Sequence, residues 1–189
     1  MELEKLEIEG AWLAHSVVFP DERGSFREWF KLGDLTTTTG HNFEVKQSNI
    51  SISRKGALRG LHYSLTGEGQ GKWVTCVAGS VWDVIVDVRP SSATFMSWIS
   101  IDLSAEVGDS VYISPGLAHG FIAFEDNTAV TYLLTSEYSP ELEFGINPMD
   151  PELAIKWPIE AKYLSPKDLN APSISQLIEQ KLLPGLLKE

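Results

Sequence analysis

Short runs of alternating or β-branched apolar residues recur along most of the chain, each bounded by Gly, Asp, Asn, Ser or Pro. They are LEIEGAWLAHSVVF (6–19), FEVKQSNISIS (43–53), ALRGLHYS (57–64), KWVTCVAGSVWDVIVDVR (72–89), SWISIDLS (97–104), DSVYISP (109–115), HGFIAFE (119–125) and AVTYLLTS (129–136). Many short strands at close spacing predict an all-β sandwich or barrel. No long helical period interleaves them, which argues against a parallel βαβ sheet. The break at Gly79-Ser80 reads as a hairpin turn between two strands. Helices are expected only at the margins. SFREWFKLGDL (25–35) has room for a short one. SISQLIEQKLL (173–183) is the better candidate. Ser173 and Gln176 have capping-box spacing, Ile174, Leu177, Ile178 and Leu182 keep the helical period, and Pro184 should end it. LTTTTG (35–40) reads as a local loop. There is no repeat, low-complexity tract or linker, so residues 1–189 are expected to form one domain.

One strand departs from simple amphipathicity. In VWDVIVDV (81–88), Val81, Asp83, Ile85 and Asp87 share one face and Trp82, Val84, Val86 and Val88 the other. Two acids on an apolar strand imply either a polar barrel interior that holds a ligand or a solvated face.

Charge narrows the partners. With 15 Lys and Arg against 26 Asp and Glu, the formal charge is −11. A general nucleic-acid-binding surface needs the opposite balance, whereas a few arginines still suffice for a local anion pocket. MELEKLEIEG is no secretory leader, and no apolar run is long enough for a membrane span, so a cytoplasmic protein is expected. The lone Cys76 lies in an apolar strand with no cation nearby in sequence and reads as packing rather than chemistry.

The candidate chemistry centres on RGLHYSLTGEGQGKW (59–73). A phosphate loop fails. Gly67 comes one residue too late for that spacing, and Lys72 is followed by Trp73 and a strand rather than by Ser or Thr and a helix. The glycines read better as a mobile or tightly turning loop. A metal site is undersupplied. SPGLAHGF (114–121) resembles the later metal motif of small cupin barrels, but His62 has no second histidine two positions on, and His15 and His41 are remote. A first-row metal usually wants three or four ligands. An acid–base site remains. A barrel could bring His62, Arg59, Lys72, His119 and Tyr132 together, and a histidine base with a lysine and a tyrosine suits proton removal beside a carbonyl.

Over nearly its whole length the chain resembles the dTDP-4-dehydrorhamnose 3,5-epimerase family of cupin-like jelly rolls. The matching segments are DERGSFREWF (21–30), VKQSNISISRKGALRGLHYS (45–64), QGKWVTCVAGSVWDVIVDVR (70–89), SPGLAHGF (114–121), YLLTSEYSPELEFGINPMDPELAIKWP (132–158) and LSPKDLNAP (164–172). The resemblance implies an all-β jelly-roll barrel with a few short peripheral helices. It also implies metal-free, cofactor-free epimerisation beside the ketone of a dTDP-4-keto-6-deoxyhexose, at carbons 3 and 5. By this resemblance His62 is the base, Asp168 holds its imidazole, Lys72 stabilises the enolate oxygen and Tyr132 protonates the opposite face. His119 lines the pocket with Asp83 as partner. Arg23 and Arg59 clamp the diphosphate and Tyr138 stacks near the nucleobase, while Phe19, Phe26, Glu28, Gln47 and Asn49 help shape the site. It further implies a homodimer, in which Arg23, Phe19 and Phe26 serve the neighbouring subunit.

The residues also admit plainer readings: Tyr138 as a surface turn, Asp83 as a barrel residue, and Arg23 paired with Glu28. Three positions depart from many relatives: Leu133 after the tyrosine, Glu137 before Tyr138, and Trp73 after the lysine, where it is expected to reshape the pocket floor and restrict the sugar. The alternatives are an epimerase acting at one carbon of a related dTDP-4-keto-deoxyhexose, a metal-dependent cupin enzyme, and a non-catalytic sugar-binding module.

Overall fold

The computed structural model describes residues 1–67 and 69–185, so the last four residues of the expected 1–189 domain lie outside the described residues. The elements in chain order are β1 (Glu2–Lys5), β2 (Ala11–His15), β3 (Val18–Asp21), β4 (Gly24–Arg27), α1 (Leu32–Thr39), β5 (Gln47–Ser53), β6 (Leu58–Ser64), β7 (Lys72–Ala78), β8 (Ser80–Asp87), β9 (Trp98–Ser104), β10 (Ser110–Ile113), β11 (Leu117–Ala123), β12 (Thr128–Leu134), β13 (Glu143–Gly145), α2 (Pro166–Leu169) and α3 (Ile174–Gln180). They build two antiparallel sheets, ordered β1-β2-β10-β7-β12-β5 and β13-β6-β11-β8-β9, with β3 and β4 pairing only with each other. This is the expected cupin-like jelly roll. No described helix is long and apolar enough to cross a membrane.

The chain does not turn back on itself at Gly79. β7 belongs to the six-stranded sheet and β8 to the five-stranded one, so the expected hairpin is a corner between layers. Both edges of β8 are already occupied, by β9 and β11. The corner is tight: Gly79 has φ +70°, and a β-carbon there would lie 2.6 Å from the Thr128 hydroxyl.

The apolar face of each sheet meets the other in a core that includes Val74, Cys76, Val81, Ile85, Val111, Ile113, Leu117 and Val130. Cys76 is fully buried there and its thiol is pushed up by burial, as an inert packing residue would be. The outer faces are covered as well. Residues after β13 lay Ile146, Leu153, Ile174, Leu177 and Leu183 over Val84, Val86 and Val88. Phe30, Leu35 and Phe43 lie over Trp73 and Tyr112 on the other side. That double coverage explains why β8 is apolar on both faces, and it excludes the solvated reading of its acids, since Asp83 and Asp87 are both fully buried. Asp87 closes one end of the strand. It accepts hydrogen bonds from Arg89 Nε (2.9 Å) and Nη2 (2.7 Å) and from the hydroxyls of Ser92 (2.5 Å) and Thr94 (2.7 Å). Burial alone would raise its carboxyl, but these donors outweigh burial and hold it down at about 2.

The helices are partly as expected. α3 carries the capping box, with Ser173 accepting from Gln176 N and the Gln176 side chain accepting from Ser173 N. It ends at Lys181 in the left-handed conformation (φ +58°), three residues before Pro184. Near the N-terminus, β4 takes the first residues of SFREWFKLGDL, and the helix instead runs through the threonines read as a loop, up to a left-handed Gly40.

Candidate active site

A bulge in β6 assembles the centre of the site. β6 pairs with β11 as His62↔His119 and Arg59↔Phe121, so three steps on β6 face two on β11. Residues three apart on a regular strand point to opposite faces. The extra residue turns Arg59 and His62 onto one face, and both line a cavity of about 280 Å³ between the sheets. The bulge depends on two glycines. Gly60 has φ +129°, a β-carbon on it would lie 2.5 Å from the Gly120 Cα, and one on Gly120 would lie 2.9 Å from the Arg59 carbonyl oxygen.

His62 Nε2 lies 2.6 Å from Asp168 Oδ1. The SPKD segment places that carboxylate. Ser165 is the N-cap of α2, its hydroxyl accepts from Asp168 N, and Pro166 starts the turn. The segment before α2 is held beside β6 by Leu58 N donating to Tyr163 O (2.9 Å) and Lys162 N to Gly56 O (2.9 Å). Burial tends to raise the Asp168 carboxyl, but His62, Ser165 and the Gly60 backbone amide prevail and hold it below its ordinary range. A charged, oriented carboxylate therefore faces the imidazole.

The opposite wall comes from the six-stranded sheet. Lys72 opens β7 opposite Leu134, while Tyr132 and Leu134 in β12 face Asn49 and Gln47 in β5. Lys72 is buried and donates to the His62 carbonyl oxygen at 3.1 Å. Burial brings its ammonium down to about 8, against the upward pull of Glu143 and Asp83. Behind the cavity wall, His119 Nε2 lies 2.6 Å from Asp83 Oδ2. Burial raises Asp83, and His119 and Lys72 oppose it. At the mouth, Arg59 reaches across to β5, donating from Nε to Ser53 Oγ (3.0 Å) and from Nη2 to Ile52 O (3.2 Å). Tyr138 is 58% exposed, and its backbone N–H donates to Gln47 Oε1 (2.8 Å), while Gln47 Nε2 donates to Asn49 Oδ1 (2.9 Å).

The cavity thus gathers His62, Lys72, Tyr132, Asp168, Arg59, His119, Tyr138, Gln47 and Asn49, with Asp83 behind His119. It does not gather Arg23, Phe19, Phe26 or Glu28. These sit on or beside the β3–β4 hairpin, which joins neither large sheet and carries them away from the chain's own cavity. Arg23 pairs with Asp21 at 2.5 Å and Glu28 lies 3.6 Å from Lys31, so the alternative Arg23–Glu28 pair does not form. Trp73 is not on the pocket floor. It points away from Lys72, packs against Phe30 and Leu133, and donates from Nε1 to Trp29 O (2.8 Å).

Six lining residues escaped the sequence reading: Gln70, Phe121, Leu134, Glu143, Ser165 and Lys167. Alternation would have found Phe121 and Leu134, two residues beyond His119 and Tyr132, and Ser165 and Lys167 belong to SPKD. Glu143 sits on a three-residue strand with no period to read. Among the described residues, no three His, Cys, Asp or Glu side chains gather as a metal-holding group.

The family model of dTDP-4-dehydrorhamnose 3,5-epimerase matches residues 5–176. The chain belongs to that family. A dTDP-4-dehydro-6-deoxyglucose 3-epimerase from a Streptomyces species is 42% identical, covering 96% of this chain and 93% of its own. A dTDP-4-dehydrorhamnose 3,5-epimerase of Mycobacterium tuberculosis is also 42% identical, over 97% of this chain and 93% of its own. The crystal structure of a dTDP-6-deoxy-D-glucose-3,5-epimerase from Legionella pneumophila in complex with dTDP-4-keto-L-rhamnose superposes with a TM-score of 0.91, at 39% identity and 97% coverage of each chain.

The bulge gives the first test. Gly60→Ala puts a side chain against backbone at a positive φ and should cost about 2 kcal/mol or more. For a chain of this length that lowers the melting temperature by at least about 4 °C. Gly33→Ala, with no atom within 4 Å of the added carbon, should leave melting unchanged or slightly raised. Equal melting temperatures for the two variants would show that the β6–β11 approach is not a constraint.

Proposed function

We propose that this protein epimerises dTDP-4-dehydro-6-deoxy-D-glucose at carbons 3 and 5, giving dTDP-4-dehydro-L-rhamnose. The observation that carries this reading is the His62–Asp168 pair on one wall with Tyr132 on the other and a buried Lys72 between them. The ketone acidifies the hydrogens on its two neighbouring carbons. His62 takes one such proton and becomes imidazolium, stabilised by Asp168. The electron pair left on carbon moves into the carbonyl, and the enolate oxygen that forms is held by the Lys72 ammonium. Tyr132 returns a proton to carbon from the opposite face. The product has the inverted centre and the ketone is restored. Repeating the cycle at carbon 5 requires the ring to present its other flank to His62, after the imidazolium has released its proton to solvent and the Tyr132 phenolate has taken one back. Arg59 is suited to the diphosphate and Tyr138 to the base. A second reading, inversion at carbon 3 alone, is favoured by the 42% identical 3-epimerase.

The acting unit we infer is a homodimer. The β3–β4 hairpin shows Phe19 (54% exposed) and Phe26 (65%), and the outer face of β5 shows Ile50 (65%) and Ile52 (66%). Such apolar surface fits a second copy, and a hairpin reaching to that copy would bring Arg23 to its cavity.

Incubation in deuterated water with dTDP-4-dehydro-6-deoxy-D-glucose, followed by proton NMR, decides the number of centres. Deuterium should enter positions 3 and 5, and Tyr132→Phe should keep exchange while suppressing inversion. Label at one carbon after exhaustive incubation would establish the single-site reading, and no exchange by active-site-intact protein would sink both.

The pH profile tests Lys72. Its ammonium is charged below about 8 and neutral above, and only the charged form can hold an enolate. Since kcat/KM reports the free enzyme, it should fall as pH rises through about 8. A profile flat to pH 9.5 would show that the ammonium stays charged through that range, and native kcat/KM in Lys72→Met would remove Lys72 from the role.

Subunit mixing tests the hairpin. Arg23→Ala and His62→Ala chains, each poorly active alone, should regain activity when mixed, because some hybrid sites hold both native residues. No recovery despite demonstrated exchange would confine Arg23 to its own subunit.

A further inference from the structure

The GQGK stretch, which fails as a phosphate loop, has a different physical job. Gly69 and Gly71 are narrow for a reason. A β-carbon on Gly69 (φ +97°) would lie 2.8 Å from the Pro115 Cβ, and one on Gly71 would lie 3.2 Å from the Thr135 Cγ2. The backbone around Gln70 is therefore wedged between the loop before β11 and the segment after β12. It is also bonded to the latter. Gly71 N donates to the Thr135 hydroxyl (2.7 Å) and Thr135 N returns a bond to Gly71 O (3.1 Å). Between the two glycines, Gln70 is only 5% exposed, lines the cavity, and donates from Nε2 to Ser136 Oγ (2.9 Å) and Ser136 O (3.4 Å). Two residues further on is Tyr138, whose N–H is taken by Gln47 Oε1 at 2.8 Å. Side chains from β5 (Gln47) and from the loop that leads into β7 (Gln70) thus pin the 135–138 segment at both ends, while the tyrosine ring itself stays in solvent.

We propose that Gln70 is a positioning residue for nucleotide binding, holding the 135–138 segment so that Tyr138 presents its ring to the nucleobase before substrate arrives. This rests on the reading of the cavity as a dTDP-sugar site. Fixing the segment in the free protein removes an ordering cost that binding would otherwise meet. Chemistry should be insulated from the change, because Lys72 is held separately by its pairing in β7 and by its bond to the His62 carbonyl.

The test is calorimetric titration of dTDP, together with kcat at saturating sugar nucleotide. Base–aromatic stacking predicts that Tyr138→Ala weakens dTDP binding roughly tenfold, and Gln70→Ala should do nearly the same. Because Gln70 acts through Tyr138, the double variant should bind within about twofold of Tyr138→Ala. The kcat of Gln70→Ala should stay within about twofold of the native value, since general acid–base groups would change it by about 10²-fold or more. Should Gln70→Ala fail to fold, Ser136→Ala removes the acceptor hydroxyl from the other side and should weaken dTDP binding in the same non-additive way. Losses that multiply in the double variant, or a fall in kcat with dTDP affinity unchanged, would overturn the assignment. Absence of dTDP binding by the native protein would overturn the proposed function itself, and that titration comes before any variant is made.

Discussion

Gly60 and Gly120 approach so closely that neither position has room for a β-carbon, and the geometry of the cavity follows from that approach. Without the bulge, β6 would present either Arg59 or His62 to the interior and turn the other toward the C-terminal cover. With it, a cation at the mouth and an imidazole at depth share one wall, three residues apart. The same register sets His119 directly opposite His62. RGLH and AHGF are thus two halves of one backbone contact, and each glycine is as necessary to the site as the histidine near it.

Electrostatics explain how a chain of formal charge −11 makes a site for a diphosphate. Most of its acids stay outside. The acids at the cavity are bound to specific tasks: Asp168 to His62 and Asp83 to His119. Lys72 is the exposed nerve of this arrangement. Buried among apolar residues it would lose its charge readily, and Glu143 and Asp83 keep it from falling below about 8. Glu143 Oε1 and Asp83 Oδ1 are buried without hydrogen-bond partners among the described residues.

Strand patterning made the two-layer architecture legible, because alternation reports burial directly. Where burial is two-sided, alternation is silent. β8 is covered on both faces, and the sequence around Gly79 therefore does not distinguish a hairpin from a corner between sheets. Local propensity also misled at the threonines of α1, whose β-branched side chains disfavour a helix, yet Leu35 in that helix packs beneath Trp73 and Phe43, and tertiary burial decides the outcome. At the site, the residues that the resemblance names divide by element. Those on β5, β6, β7, β11, β12 and α2 converge. Arg23, Phe19, Phe26 and Glu28 do not: the resemblance has the first three serve a neighbouring subunit, and a free hairpin carries no sequence signal of its own for what it docks against. Trp73 was misplaced for a simpler reason: next to Lys72 on a strand, it must face the other way.

The stereochemical outcome belongs to the spacing of the walls more than to the reacting groups. His62 and Tyr132 stand on different sheets, so in the proposed reaction a proton would leave one face of the sugar and arrive on the other whichever carbon reacts. What differs between one inversion and two is whether the ring can turn between the walls. Phe121 and Leu134 line the cavity, one on each sheet, each two positions along its strand from His119 or Tyr132. Trp73 and Leu133 lie on the far side of the six-stranded sheet and act on the wall only by setting where β7 and β12 rest. A 3-epimerase and a 3,5-epimerase stand at the same 42% identity to this chain. For this chain, the one-inversion and two-inversion readings use the same side chains and differ in the room they require between its two sheets.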